Sequence, residues 1–163
     1  MAEDRQQPNQ LAIMENLELL NHTMLFTGCS EEELELALGL FQERQIKSNT
    51  TIFTENMPAE ALYIIKSGNV RISVLAGDEN ERGLLLLTPG EFFGELALVQ
   101  AEGRLATAKS EGQTELLMLT RKDFQALLDL DPRTGSRLLM AITKLLATRI
   151  RAYGDKFKKL LTA

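Results

Sequence analysis

The spacing of apolar residues along this chain changes three times, and each change marks a boundary. After a polar opening dozen, Ile13, Met14, Leu17 and Leu20 recur at helical spacing, the pattern of a helix with one buried face. Ser30-Glu31-Glu32-Glu33 then sets a serine three residues ahead of a glutamate, so that each side chain can satisfy the other's free backbone N–H. A second helix is expected to open there and to bury Leu34, Ala37, Leu38 and Phe41. Between residues 42 and 120 the texture becomes short apolar runs divided by turn formers: Asn56-Met57-Pro58, Ser67-Gly68-Asn69, Gly77-Asp78, Pro89-Gly90 and Glu111-Gly112. The runs Thr51 to Phe53, Leu62 to Ile65, Val70 to Val74, Leu84 to Leu87 and Glu115 to Leu119 read as strands. Val70, Ile72 and Val74 alternate with Arg71 and Ser73, which predicts one wet face for that strand. Strands this short and this evenly punctuated predict a small antiparallel roll or barrel. From Arg121 the helical period returns through Phe124, Leu127 and Leu128, until Asp131-Pro132 interrupts it. A long last helix follows, its stripe of Leu139, Ile142, Leu146, Ile150, Tyr153, Phe157 and Leu160 close to the period of a coiled-coil seam, with Gly154 weakening it locally.

The chain is read as a tail and helix (1–21), a roll with flanking helices (22–130) and the long final helix (131–163). With 163 residues, 44% of them hydrophobic and 25% charged, there is material for one sizeable core. No apolar run is long enough to span a bilayer and the opening residues lack a secretory signal, so a cytoplasmic chain with no membrane partner is expected. Cys29 stands alone, which excludes an internal disulfide or a cysteine metal cluster and suits a filler of core space. His22 is also alone; it reads as a solvated or helix-capping residue, and its solitude excludes histidine-rich metal centres and histidine-based triads. An enzyme on a similar roll, such as a cupin, would need several histidines, so no catalytic residue, metal or catalytic cofactor is expected. Charge is uneven: of a net −5, residues 131–163 carry eight Lys/Arg against two Asp, a surplus of six, which leaves the rest of the chain at −11. A duplex-DNA binder needs a basic face over its whole contact surface, and no direct DNA binding is expected.

One stretch calls for specific chemistry. Pro89-Gly90-Glu91-Phe92-Phe93-Gly94-Glu95-Leu96-Ala97-Leu98-Val99 is followed by Arg104-Leu105-Ala106-Thr107-Ala108. Gly94 lets backbone approach a ligand closely, and a short helix starting there would aim its first N–H groups at an anion. Arg104 can add a forked pair of charge-assisted hydrogen bonds to phosphate oxygens. Glu95, which only accepts, suits a sugar hydroxyl.

At these residues the chain resembles the cyclic nucleotide-binding domain of the catabolite activator protein family and of protein kinase regulatory subunits. Those families share a phosphate-binding cassette of the form Phe-Gly-Glu-Leu-Ala-Leu, then Arg-x-Ala after a short linker; Phe93 to Leu98 and Arg104-Leu105-Ala106 match it. Ala61 to Gly68 is similar to the family's third strand and turn, and the likeness spans roughly residues 22 to 153. The fold this implies is α+β and mainly β: an eight-stranded antiparallel β-roll of the double-stranded β-helix or jelly-roll kind, with N-terminal helices and two C-terminal helices. The resemblance implies a cyclic nucleotide as ligand, cAMP ahead of cGMP. It assigns Glu95 to the ribose 2′-hydroxyl and Arg104 to the cyclic phosphate, with backbone N–H groups around Leu96, Ala97, Leu105 and Ala106 completing the phosphate shell. Ile72, Leu85 and Leu87 fall where the family lines the sugar and base, and Arg149 or Tyr153, on one face of the last helix, would cap the base. Leu105 departs from the pattern, carrying no hydroxyl of the kind some members use to favour one nucleotide, and Thr50 replaces a frequent glycine.

The family's transcription factors continue into a helix-turn-helix domain, whereas this sequence ends at Ala163. The expectation is therefore a small regulatory sensor that passes ligand binding through its last helices to a protein partner. Homodimerisation through residues 139–160 is expected, and the basic end formed by Arg149, Arg151, Lys156, Lys158 and Lys159 reads as charge suited to a helix C-terminus. The competing reading is a structural or interaction module that keeps the roll, binds no nucleotide and assembles through its final helix.

Overall fold

The structure is a computed structural model that describes residues 9–75, 77 and 80–161, with the side chains of residues 153, 156, 157 and 160 outside the description. Two helices lead the chain, α1 (Gln10–His22) and α2 (Glu31–Leu38), with a single 3₁₀ turn at Met24–Phe26 between them. Both halves of the anticipated capping box form at α2, Ser30 Oγ accepting from the Glu33 N–H at 3.2 Å and Glu33 Oε2 from the Ser30 N–H at 2.8 Å. Leu34 and Ala37 are buried, while Leu38 and Phe41 are partly buried against the same core.

Six strands follow among the described residues: β1 (Gln42–Ile46), β2 (Thr51–Phe53), β3 (Ala61–Leu75), β4 (Glu81–Leu87), β5 (Phe92–Phe93) and β6 (Thr107–Thr120). All pair antiparallel, in the order β1-β6-β3-β4, with β2 also on β6 and β5 also on β3. β3 and β6 are long because each runs through two strands of the roll; their mutual register shifts around Ser67, beside Gly68 at φ +78°. Counted that way, six continuous strands supply the eight of the β-roll. The sequence reading divided β3 at the Ser67-Gly68-Asn69 turn, but the backbone bends there and keeps its pairing. Ser73 corrects a second expectation. It is buried rather than wet, because a bulge between Ile72 and Ser73 in the pairing with β4 reverses the alternation, and its hydroxyl donates to Glu81.

The two faces of β3 and β6 serve two apolar clusters. Leu62 and Ile64 of β3, with Leu117 and Leu119 of β6, face the helices; Ile65, Val70 and Leu116 face the interior of the roll. On the helical side α3 (Arg121–Leu130) and α4 (Pro132–Leu161) close the layer through Phe124, Leu127, Leu138 and Ile142. Gly135 allows that closure, since a Cβ there would lie 2.6 Å from Leu128 Cδ2. The expected stripe on α4 is core only in its first half: Ile142 is buried and Leu139 and Leu146 partly so, but every described side chain from Ala147 onward is exposed, Ile150 by 70%. Tyr153, Phe157 and Leu160, the rest of the stripe, have side chains outside the described set. Cys29 packs at the margin of the helical cluster, where burial pushes its thiol pKa up. His22 is exposed, its Nδ1 2.8 Å from the Glu18 carbonyl oxygen. Among the described residues no helix is long and apolar enough to cross a membrane.

Candidate functional site

Gly94 ends β5 and opens the site. Its φ of +75° lies in the left-handed region, where glycine is nearly free of strain, and the chain reverses there into a 3₁₀ helix over Glu95–Leu98. The missing side chain matters as well: a Cβ at this position would stand 2.7 Å from Arg104 Nη1 and 3.0 Å from the Ala61 carbonyl oxygen. Bonds from the Ala97 N–H to Gly94 O and from the Val99 N–H to Leu96 O, both 3.1 Å, hold the short helix.

The loop that returns with Arg104 is fixed by backbone. Arg104 donates its N–H to Met57 O and accepts from the Asn56 N–H, each at 2.8 Å, while Gly103 bridges to Pro58 so closely that a Cβ would meet Asn56 O at 3.0 Å. The side chain thereby turns inward. Its guanidinium lies 4.0 Å from the ring centroid of Phe53, and Nη2 donates to Ala61 O at 2.9 Å and Nη1 to Gly94 O at 3.3 Å. Arg104 is only 6% exposed and its Nε is a buried donor with no partner. Burial lowers its pKa below the ordinary arginine value; Tyr63, Glu60 and Glu95 pull it back, and Arg121 lowers it further. An arginine remains cationic through such shifts, so the site holds a permanent, poorly solvated positive charge whose Nε–H has no acceptor.

Glu95 is 4% exposed. It does not pair with Arg104, whose Nη1 and Nη2 donate to backbone carbonyls; its carboxylate instead accepts from Arg149 Nη1 of α4, a half-exposed side chain. This excludes the simplest alternative, a surface ion pair between Glu95 and Arg104. A buried carboxylate without a cation would be strongly disfavoured, so Arg149 compensates Glu95 and at the same time ties α4 to the cradle.

These groups share one cavity of about 480 Å³. The cradle residues Gly94, Glu95, Leu96, Ala97, Arg104, Leu105 and Ala106 form one side of it. Ile72 of β3 and Leu85 and Leu87 of β4 form an apolar side, and Arg149 reaches in from α4. Every residue singled out by sequence thus lines the cavity, except Tyr153, whose side chain lies outside the described set. Phe53, which supports the guanidinium, was not anticipated: it lies 51 residues upstream of Arg104 in a strand with no ligand signature. Among the described residues no group of three or more His, Cys, Asp or Glu is placed to hold a metal ion.

Comparison with known proteins bears on what such a cavity is for. Residues 43–131 match the family model described as the cyclic nucleotide-binding domain. The Cyclic AMP receptor protein of Thermus thermophilus is 40% identical over 127 residues, covering 78% of this chain and 57% of that protein. The chain therefore spans little more than half the length of this curated relative. Among solved structures, the Thermus thermophilus Catabolite Activator Protein superposes with a TM-score of 0.78 at 37% identity, over 85% of this chain and 63% of the other. The regulatory domain of Toxoplasma gondii PKA, co-crystallised with cAMP, gives 0.69 at 31% identity over 74% of this chain and 46% of that one.

Proposed function

Because this chain belongs to the cyclic nucleotide-binding domain family, we propose that its cavity binds cAMP in preference to cGMP and that α3 and α4 carry the response. The observation on which this rests is the buried Arg104 guanidinium with its unpartnered Nε beside the cavity. A singly charged cyclic phosphodiester neutralises that cation and supplies the missing acceptor. Glu95 takes the ribose 2′-hydroxyl: a carboxylate offers several lone pairs, so it can accept from the sugar and from Arg149 together. Backbone N–H groups of Leu96, Leu105 and Ala106 surround the phosphate, with that of Ala97, which already donates to Gly94 O at 3.1 Å, at the edge of the shell, and Ile72, Leu85 and Leu87 cover the sugar and base. Leu105, 74% exposed at the rim, brings no hydroxyl to the cavity, and the preference for cAMP is supported by the likeness to the Cyclic AMP receptor protein and to the PKA regulatory domain co-crystallised with cAMP.

The Glu95 to Arg149 contact is also the route outward. A ligand that engages Glu95 alters the partner of the last helix, and the arrangement of α4 that keeps Arg149 at the cavity gains population in proportion to its advantage in ligand binding. In this reading residues 22–130 are the binding unit, whose last helix α3 passes the response to the long helix of 131–163. α4 is 30 residues and ~45 Å long, and its exposed Ile150 supports pairing of residues 139–160 with a second copy. Sedimentation at tens of micromolar should then give a dimer, and a monomer at that concentration removes this part of the reading.

A ligand of about 22 non-hydrogen atoms at ~0.3 kcal/mol each binds with ~7 kcal/mol, a dissociation constant near ten micromolar. Calorimetry with cAMP on the whole chain should return a value of that order, and cGMP a weaker one. Hydrogen exchange with and without cAMP should slow in residues 121–161. Absence of cAMP binding sinks the ligand assignment; binding with unchanged exchange in that segment sinks the transmission.

A further inference from the structure

Arg104 is not the only arginine that ties the cradle down. Its guanidinium joins two backbone stretches, Gly94 O on one and Ala61 O on the other. A second guanidinium, on Arg121, joins the same two stretches a few residues along: Nε donates to Ala97 O at 2.6 Å and Nη2 to Ala59 O. The β-ladder between β3 and β5 ends at the Tyr63 and Phe93 pair, so beyond it these two arginines form the next rungs.

The need for such rungs follows from the cradle itself. A 3₁₀ helix of four residues has poor hydrogen-bond geometry and cannot persist by propensity. Its orientation must come from outside. Arg121 is well placed to give it, because its own backbone is fixed: it is the first residue of α3, its N–H donates to Glu60 O at 2.9 Å, and Thr120 caps the helix by accepting from the Asp123 N–H. The sequence gives no sign of this role, since an arginine in the first turn of a helix is unremarkable in sequence and even mildly unfavourable for the helix dipole. A guanidinium suits the role better than an ammonium, because two nitrogens of its rigid planar fork, Nε and Nη2, each take one carbonyl.

We propose that Arg121 is a positioning residue for anion binding, holding the short helix over Glu95–Leu98 in its ligand-ready orientation and joining it rigidly to the first turn of α3. The ligand part of this rests on the cyclic nucleotide reading above; the clamp itself does not. It also supplies a second link between cradle and output, beside the Glu95 to Arg149 contact, since whatever displaces the Ala97 carbonyl displaces the start of the C-terminal helices.

The test compares the wild-type chain with Arg121→Gln and Arg121→Lys. Amide hydrogen exchange is read on the ligand-free proteins, and cAMP is titrated calorimetrically into each. The expected result for Arg121→Gln is exchange in residues 94–100 faster by about tenfold, unchanged exchange in β1 and the paired part of β6, and cAMP affinity weaker by about tenfold, because a short helix released from Arg121 must be ordered when the ligand binds. Arg121→Lys keeps the charge and one bond and should fall between the two. Three results overturn the proposal: unchanged exchange in residues 94–100, a rise shared equally by the whole sheet, or altered exchange with affinity within twofold of wild type. Should Arg121→Gln not fold, Arg121→Lys is judged against wild type by the same criteria. If the wild-type chain binds no cAMP, the ligand reading fails separately and the exchange data alone decide whether the clamp exists.

Discussion

Arg104→Ala is expected to weaken cAMP binding by about tenfold or more, from the loss of ~2 to 3 kcal/mol of charge-assisted hydrogen bonding in a poorly hydrated site. The estimate is for binding alone, and the structure adds a second effect. Arg104 also satisfies Ala61 O and Gly94 O and packs on Phe53, so alanine leaves two carbonyls without their donor beside an emptied space. The variant should therefore melt earlier than wild type, and titrations belong at a temperature where circular dichroism shows both folded. Arg104→Lys separates the two contributions: an ammonium keeps the positive charge, but its single nitrogen does not reproduce the fixed fork by which Nη1 and Nη2 hold two carbonyls while Nε faces the ligand. Its affinity should lie between those of wild type and alanine. An affinity unchanged in Arg104→Ala removes the electrostatic basis of the site.

How much of this was legible in the sequence depended on whether a residue's role was local. The cradle was readable because Gly94, Glu95 and Arg104 lie within eleven residues and their chemistry is carried by residue type. The partners that give Arg104 its meaning were not, since Phe53 and Ala61 lie 51 and 43 residues away and one of them contributes only a carbonyl oxygen. β1 was missed for a related reason. Gln42-Glu43-Arg44-Gln45-Ile46 has no apolar alternation and is almost wholly exposed; it is a strand because its backbone pairs with residues 114–118 of β6. The early part of β6 hid in the same way, since the residues it buries are Ala108 and Ser110, and the Ser110 hydroxyl acts on backbone, donating to Lys47 O at 2.7 Å and accepting from the Thr50 N–H at 2.9 Å. On α4 the stripe through Leu139 had the right period but was one residue from the deepest position, Leu138, which is fully buried. Periodicity identifies a face, and the angle at which that face docks is set by the partner surface.

The second large effect is expected at a glycine remote from the ligand. Gly68→Ala should remove more than ~4 kcal/mol of stability, a size reserved for backbone conflict or core loss and a large part of the ~5 to 15 kcal/mol that holds a typical domain together. Two terms contribute. Gly68 has φ +78°, where an L side chain costs about 1 to 2 kcal/mol. Its absent Cβ would also lie 2.4 Å from Gln113 O, 2.5 Å from Thr114 Oγ1 and 2.8 Å from Thr114 Cα, so the obstruction is mostly main chain. Thr114 cannot retreat easily, being fully buried with its hydroxyl donating to Asn69 O or Gly112 O at 3.2 Å. Relief would have to come from parting β3 and β6 at their shared bend, and that bend sets Ile72 at the cavity wall on one side and Ile64 against the helices on the other. Gly112→Ala is the matched control: φ is again +78°, but nothing lies within 4 Å of the added Cβ, so only the conformational term of about 1 to 2 kcal/mol applies. Urea unfolding of the two variants therefore isolates the steric part. Equal destabilisation would mean that the strands accommodate the methyl group and that the close crossing at Gly68 is not what holds the two halves of the roll in register.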